Sequence, residues 1–176
     1  MSGRCSARAA LAFAAVSAAL GLAPQSGRAM TPPRTLAARL KPDAAFGSCT
    51  TTYTSVAFGA YDEAAPGATT AAGSVGFTCT GFVFQMNVTI SAGSSNNAGQ
   101  RTMTDGAGHA LLYNLYLPSG GVWGDGSAAF PNGYTVNFPA SGTPYAATIS
   151  GSIPAKQTTL PAGSYNDAPV VTFSSI

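Results

Sequence analysis

Residues 82–91 read FVFQMNVTIS, and the period of that stretch decides the fold. Phe82, Phe84, Met86, Val88 and Ile90 fall on one side of an extended chain. Val83, Gln85, Asn87, Thr89 and Ser91 fall on the other. Side chains alternate across a strand with a period of two, so the pattern predicts an antiparallel sandwich strand with one face buried and one wet. Upstream, Val75, Phe77 and Cys79 alternate with Ser74, Gly76 and Thr78. Before them Thr52, Thr54, Val56 and Phe58 recur on one side of a strand predicted over 51–58, and a turn-rich stretch with Asp62, Pro66 and Gly67 fills 59–73. Downstream come a polar loop (92–100), a short strand (101–104) and a turn at Asp105-Gly106. In 110–117 Leu111, Tyr113, Leu115 and Leu117 alternate against Leu112, Asn114 and Tyr116, and a Gly-rich loop over 119–133 holds the sole tryptophan, Trp123. Tyr134, Val136 and Phe138 alternate next; then Tyr145, Ala147, Ile149, Gly151 and Ile153; then, after a loop over 154–163, Pro169, Val171 and Phe173. No part of the domain repeats apolar residues at helical spacing. Some seven to eight short strands separated by turns predict an all-β sandwich or barrel.

The chain has 176 residues, a length for one domain. Its front end is of another kind. Arg4 and Arg8 precede an uncharged run, 9–23, of fifteen residues. A bilayer span takes about 20 residues, so the run reads as the apolar part of a secretory signal peptide, and no transmembrane segment is expected in the mature chain. Small residues offer cleavage after Ala23, Ala29 or Ala45; Pro24 hinders the first, and Ala45 lies far from the apolar run, which favours Ala29. The expected organisation is a signal peptide (1–29), an N-terminal extension (30–48) and one domain (49–176). Leu36, Ala38 and Leu40 alternate within the extension until Pro42 interrupts them.

The formal charge of +2 belongs to the precursor. From residue 46 onward Arg101 and Lys156 face Asp62, Glu63, Asp105, Asp125 and Asp167, so 2 − 5 = −3. No basic patch is left to follow a phosphate backbone, and nucleic acid is not an expected partner. Cys5 falls in the leader. Cys49 and Cys79 are an even pair in an exported chain and read as one disulfide, because a zinc site would need further ligands that the spacing does not offer.

The sequence offers no constellation of catalytic groups. His109 is the sole histidine and sits in a polar turn, with no carboxylate or thiol at a suggestive spacing. Asp62 and Glu63 are adjacent, and Asp105, Asp125 and Asp167 lie in turn-like sequence, where carboxylates close turns onto their own backbone. Neither an enzyme, a metal nor a cofactor is expected. Trp123 has two readings: an anchor for its loop, or a candidate surface aromatic that binds sugar or another surface.

The order of the punctuation carries a resemblance. Cys49 precedes a strand ending Phe58-Gly59-Ala60-Tyr61, and Cys79 follows the next strand. Arg101-Thr102-Met103 leads to Leu112-Tyr113-Asn114-Leu115-Tyr116 and then Trp123-Gly124-Asp125-Gly126. Gly151-Ser152-Ile153, Gln157 and Ala162-Gly163-Ser164-Tyr165-Asn166-Asp167 precede the closing strand. From Cys49 to Ile176 the chain resembles the spore coat protein U domain family, whose members include pilins of the archaic chaperone–usher pathway.

The resemblance implies an incomplete immunoglobulin-like β-sandwich that lacks its last strand. A periplasmic chaperone would fill the gap until an outer-membrane usher exchanges it for the N-terminal segment of another pilin subunit. Main-chain hydrogen bonds then supply affinity, and alternate side chains fill pockets. Leu36, Ala38 and Leu40 become the candidate donor strand. Val75, Phe77, Val171 and Phe173 become the candidate acceptor groove, expected to be partly open in a monomer. The implied function is a structural subunit, shaft or tip, of a bacterial surface pilus reached through the periplasm and serving adhesion or biofilm formation. The alternative is a secreted coat protein or carbohydrate-binding module that folds alone. Cleavage after Ala45 would leave no donor and suit a tip subunit.

Overall fold

The computed structural model describes residues 5–10, 16–18, 48–81, 83–137 and 139–175. Their regular structure is twelve strands and one 3-10 turn, Gly93–Ser95. The strands are β1 (Cys5–Ala10), β2 (Val16–Ala18), β3 (Ser48–Thr54), β4 (Ala60–Tyr61), β5 (Thr69–Thr80), β6 (Gln85–Ile90), β7 (Arg101–Thr104), β8 (Ala110–Tyr116), β9 (Tyr134–Asn137), β10 (Pro144–Ile153), β11 (Ser164–Tyr165) and β12 (Val170–Ser175). One sheet runs β1-β12-β6-β9 and the other β3-β5-β10-β8-β7, the two layers of an all-β sandwich; a small third sheet runs β11-β2-β4. The pairing of β2 with β4 is parallel.

Strict alternation builds the centre of the larger sheet. Ala147, Ile149, Gly151 and Ile153 of β10 point into the core while Ala146, Thr148 and Ser150 face solvent. Gly151 is needed because a Cβ there would lie 2.6 Å from Phe58 Cζ and from Val56 Cγ1. β12 alternates in the same way, burying Val171, Phe173 and Ser175.

Two strands depart from the predicted phase. The first pairs with β5 only over 48–54, so Cys49 lies inside it. Thr52 and Thr54 face solvent, whereas Val56 and Phe58 are buried beyond the strand's end. Once the ladder stops at Thr54↔Ser74, nothing holds the period, and the chain turns Val56 and Phe58 down onto Gly73 and Gly151. The second departure is in 82–91, where the ladder covers only Gln85–Ile90. Phe84 is 58% exposed rather than in line with Met86, while Val83 is buried instead. Phe82 and Phe138 lie outside the described residues. The face of β6 predicted to be wet is partly covered, since Thr89 is buried under Gly126 of the long loop. β5 begins at Thr69, inside the stretch read as turns.

Candidate functional site: the outer edge of the last strand

β12 is held on one side by β6, with Val171 opposite Ile90 and Phe173 opposite Val88. Beneath it lies β5 of the other sheet. Phe173 meets Phe77 edge-on with ring centroids 6.5 Å apart, and Phe77 stacks on Tyr145 at 5.5 Å. Of the four residues assigned to a groove, two therefore lie on β12 and two on β5, and the phenylalanines touch across the sandwich. The expected opening is not present in this chain: Val75, Phe77, Val171 and Phe173 are all 0–2% exposed. On its other side β12 pairs antiparallel with β1 over six residues, from Cys5↔Ser175 to Ala10↔Val170.

The same N-terminal region continues into the small sheet. Val16 pairs with Tyr165 and Ser17 with Ser164, while Ser17 and Ala18 pair with Ala60 and Tyr61 on the other side. Thus β2 occupies a slot whose walls are β11 and β4. Two buried tyrosines brace that slot. The Tyr61 hydroxyl donates to the Pro154 carbonyl at 3.0 Å and accepts from the Gln157 amide at 2.9 Å. The Tyr165 hydroxyl donates to the Pro161 carbonyl at 2.9 Å. Leu36, Ala38 and Leu40 lie outside the described residues.

The surrounding frame is stiff for reasons that the sequence reading caught only in part. Cys49 and Cys79 are directly opposite in the β3–β5 ladder and form the expected disulfide. Trp123 is not a surface aromatic: it is fully buried, and its indole Nε1 donates to the Val88 carbonyl at 2.9 Å. Arg101, part of the Arg101-Thr102-Met103 motif and of the charge count, is fully buried and uses all five N–H groups. Nε donates to Ser91 O, Nη1 to Ala98 O and Asn114 Oδ1, and Nη2 to Ile90 O and Trp123 O, at 2.7–3.0 Å. Burial lowers its pKa, and the nearby Tyr113, Asp125 and Asp167 oppose the shift. The signal that could have found it is its place in β7, in phase with buried Met103.

Asp167 also does more than close a turn. It is buried and accepts from Tyr113 Oη at 2.7 Å, from the Ser94 hydroxyl and amide, and from the Ala168 amide. Burial, then the Asp167 charge, pushes the Tyr113 phenol far upward. His109 has a carboxylate after all: Asp105 lies four residues earlier and contacts Nδ1 at 2.6 Å. Asp105 also accepts the Ala107 and His109 amides, so the pair closes an exposed turn. Among the described residues no group of three or more His, Cys, Asp or Glu side chains could hold a metal ion. None of their helices is long and apolar enough to cross a membrane.

The β12 edge with its neighbouring slot is a place where main-chain pairing is made. A family model, Spore Coat Protein U domain, matches residues 34–172. No curated protein and no solved structure matches the chain. β1 and β2 precede the matched span, whereas the slot and the first half of β12, Val170 to Thr172, fall within it. A match over that share of the sequence is decisive: the chain belongs to the Spore Coat Protein U domain family.

Proposed function

We propose that the chain is a structural subunit of a chaperone–usher surface pilus, assembled by donor-strand exchange and serving adhesion or biofilm formation. One observation carries the reading: the domain's last strand is completed by six residues from outside the family domain, in a segment with the composition of a signal peptide. After processing after Ala29, that edge and the β11–β4 slot lose their occupant. Val171 and Phe173 then lie beside a missing strand, and an unpaired edge over an apolar core is an aggregation hazard that a chaperone would shield. A partner strand restores both the hydrogen bonds and the cover. The chain is no enzyme on this reading, and its partners are a periplasmic chaperone, an outer-membrane usher and other pilin subunits.

A second reading has an observation of its own. The sandwich is closed by the same chain, with all four groove residues buried, as a self-sufficient coat protein or carbohydrate-binding module would be. Expression of the exported chain with and without chaperone separates the two. The pilin reading expects the processed chain alone to aggregate or be degraded, and the chaperone to recover it as a soluble one-to-one complex. A processed chain that is monomeric and folds cooperatively unaided would defeat it.

A further inference from the structure

The two pairings of the N-terminal region form one track. Along β12 the paired residue numbers sum to 180, as in 5 + 175 and 10 + 170. Along β11 they sum to 181, as in 16 + 165 and 17 + 164. The occupant thus runs antiparallel to 164–175 throughout, with one extra residue between the parts. Its ladder on β12 is six residues long and starts eleven residues before the three in the slot, since 16 − 5 = 11. The slot residues are central, with β11 on one side and β4 on the other. Ser17 pairs with Ser164 on one side and Ala60 on the other, so its N–H has a neighbour whichever way it points and proline is excluded at that position.

The N-terminal extension fits that template in one way. Pro32 and Pro33 are consecutive, and successive N–H groups of a strand point to opposite sides, so any ladder containing both loses a bond to β12. A ladder starting at Pro33 puts Thr35 and Ala37, not Leu36 and Ala38, opposite the buried positions of β12. A ladder starting after residue 34 pushes the slot residues beyond 47 and into β3. Residues 34–39 with 45–47 satisfy both parts, and Pro42 falls harmlessly between them. The side-chain phase agrees independently: Leu36 then stands opposite Phe173 and Ala38 opposite Val171, both buried. Small residues, Ala45 and Gly47, stand opposite the buried Tyr165 and Tyr61.

The occupied track must belong to another molecule. Tyr61 reaches the Pro154 carbonyl, next to Ile153, which pairs with Thr69 at one end of β5. Ser48 pairs with Thr80 at the other end. Those ends are 80 − 69 = 11 residues apart, about 36 Å in a strand. Gly47 and Ser48 are bonded neighbours, about 3.8 Å apart. One copy cannot place Gly47 in its own slot.

Resting on the pilin reading above, we infer that this chain is both donor and acceptor, its residues 34–47 docking into the β12 edge and β11–β4 slot of a second copy with Leu36 opposite Phe173 and Ala45 opposite Tyr165. Leu40 lies beyond the β12 ladder in this register. The rival is a one-part donor, 36–41, which would turn Leu36, Ala38 and Leu40 all inward and leave the slot empty.

The test is interchain cross-linking in exported chain expressed with chaperone and usher. Arg39→Cys/Val170→Cys should give a ladder of covalent multimers on a non-reducing gel, and Lys41→Cys/Val170→Cys should not. The reverse result assigns the one-part register and overturns the inference while leaving donor-strand assembly intact. A second readout does not touch the folded domain. Phe46→Pro, at the position of doubly paired Ser17, should cut multimer yield about tenfold by leaving a partner group unpaired, whereas Ala44→Pro should be tolerated. Equal multimers from both proline variants also overturn it. A mature chain that begins after Ala45 overturns it too. Exported chain that never multimerises, with any of these variants or none, defeats the pilin reading itself.

Discussion

Arg101 concentrates at one residue what holds the loops over the smaller sheet. Its five bonds go to the ends of β6, the 92–100 loop, β8 and the Trp123 loop. Arg101→Ala leaves several buried acceptors without donors, and should cost about 3–4 kcal/mol in denaturant unfolding. Arg101→Lys should recover little, because an ammonium has three donors and no planar fork. The Asp105–His109 turn makes a smaller, pH-dependent contribution. The hydrogen bond from His109 holds the Asp105 carboxyl below its ordinary value of 3.8. A depressed folded pKa means stability that is present above 3.8 and lost as pH falls through the folded value. Asp105→Asn should therefore lower stability slightly through the neutral range and flatten the acid side of a stability–pH curve below about pH 4, where the wild type loses the same contribution. Such residues were poorly legible in the sequence. Arg101 looks like any exposed arginine until β7 is seen to point it inward, and Asp167 like any turn aspartate until Tyr113 arrives from 54 positions away.

At the scale of elements, long ladders were legible and strand ends were not. β10 and β12 keep their period because each is paired on both sides. β3 is an outer strand, paired only with β5, and the phase read across 51–58 broke where that pairing stopped. The disulfide supplies what an edge strand lacks. Joining residues 30 apart, it should contribute about 3–4 kcal/mol on the chain-entropy estimate. Cys49→Ser/Cys79→Ser should lose that amount by thermal or denaturant unfolding; an unchanged midpoint would mean that the ladder alone fixes β3. The Trp123-Gly124 motif has an equally local cause. A Cβ on Gly124 would collide with the Phe130 carbonyl oxygen, and the Gly124 carbonyl accepts the Ile90 amide at 3.0 Å. Gly124→Ala must displace backbone, and should destabilise by about 2 kcal/mol or more while Gly121→Ala, with open space around it, should be near neutral. An open groove over Val75, Phe77, Val171 and Phe173 was expected from the family resemblance, and all four are buried here. The slot between β4 and β11 was not legible, because strands of two residues carry no period to read.

For the whole molecule, the state of the N-terminus decides what the surface offers. Chain retaining residues 1–29 should stay monomeric and bind little of a hydrophobic dye, whereas processed chain freed from its chaperone should bind far more at the exposed Val171 and Phe173 side. Equal dye binding by the two forms would show that β1 covers nothing that matters. Charge has a quieter consequence, and it follows from where Arg101 went. With that guanidinium inside, Lys156 is the one lysine or arginine after residue 46 that reaches solvent, against Asp62, Glu63, Asp105 and Asp125, since Asp167 is buried. Fields from so few charges fade within about 8–10 Å at physiological ionic strength. The proposed docking segment, 34–47, is of opposite sign, with Arg34, Arg39 and Lys41 against Asp43, so its approach to a second copy's acidic domain should slow as salt rises.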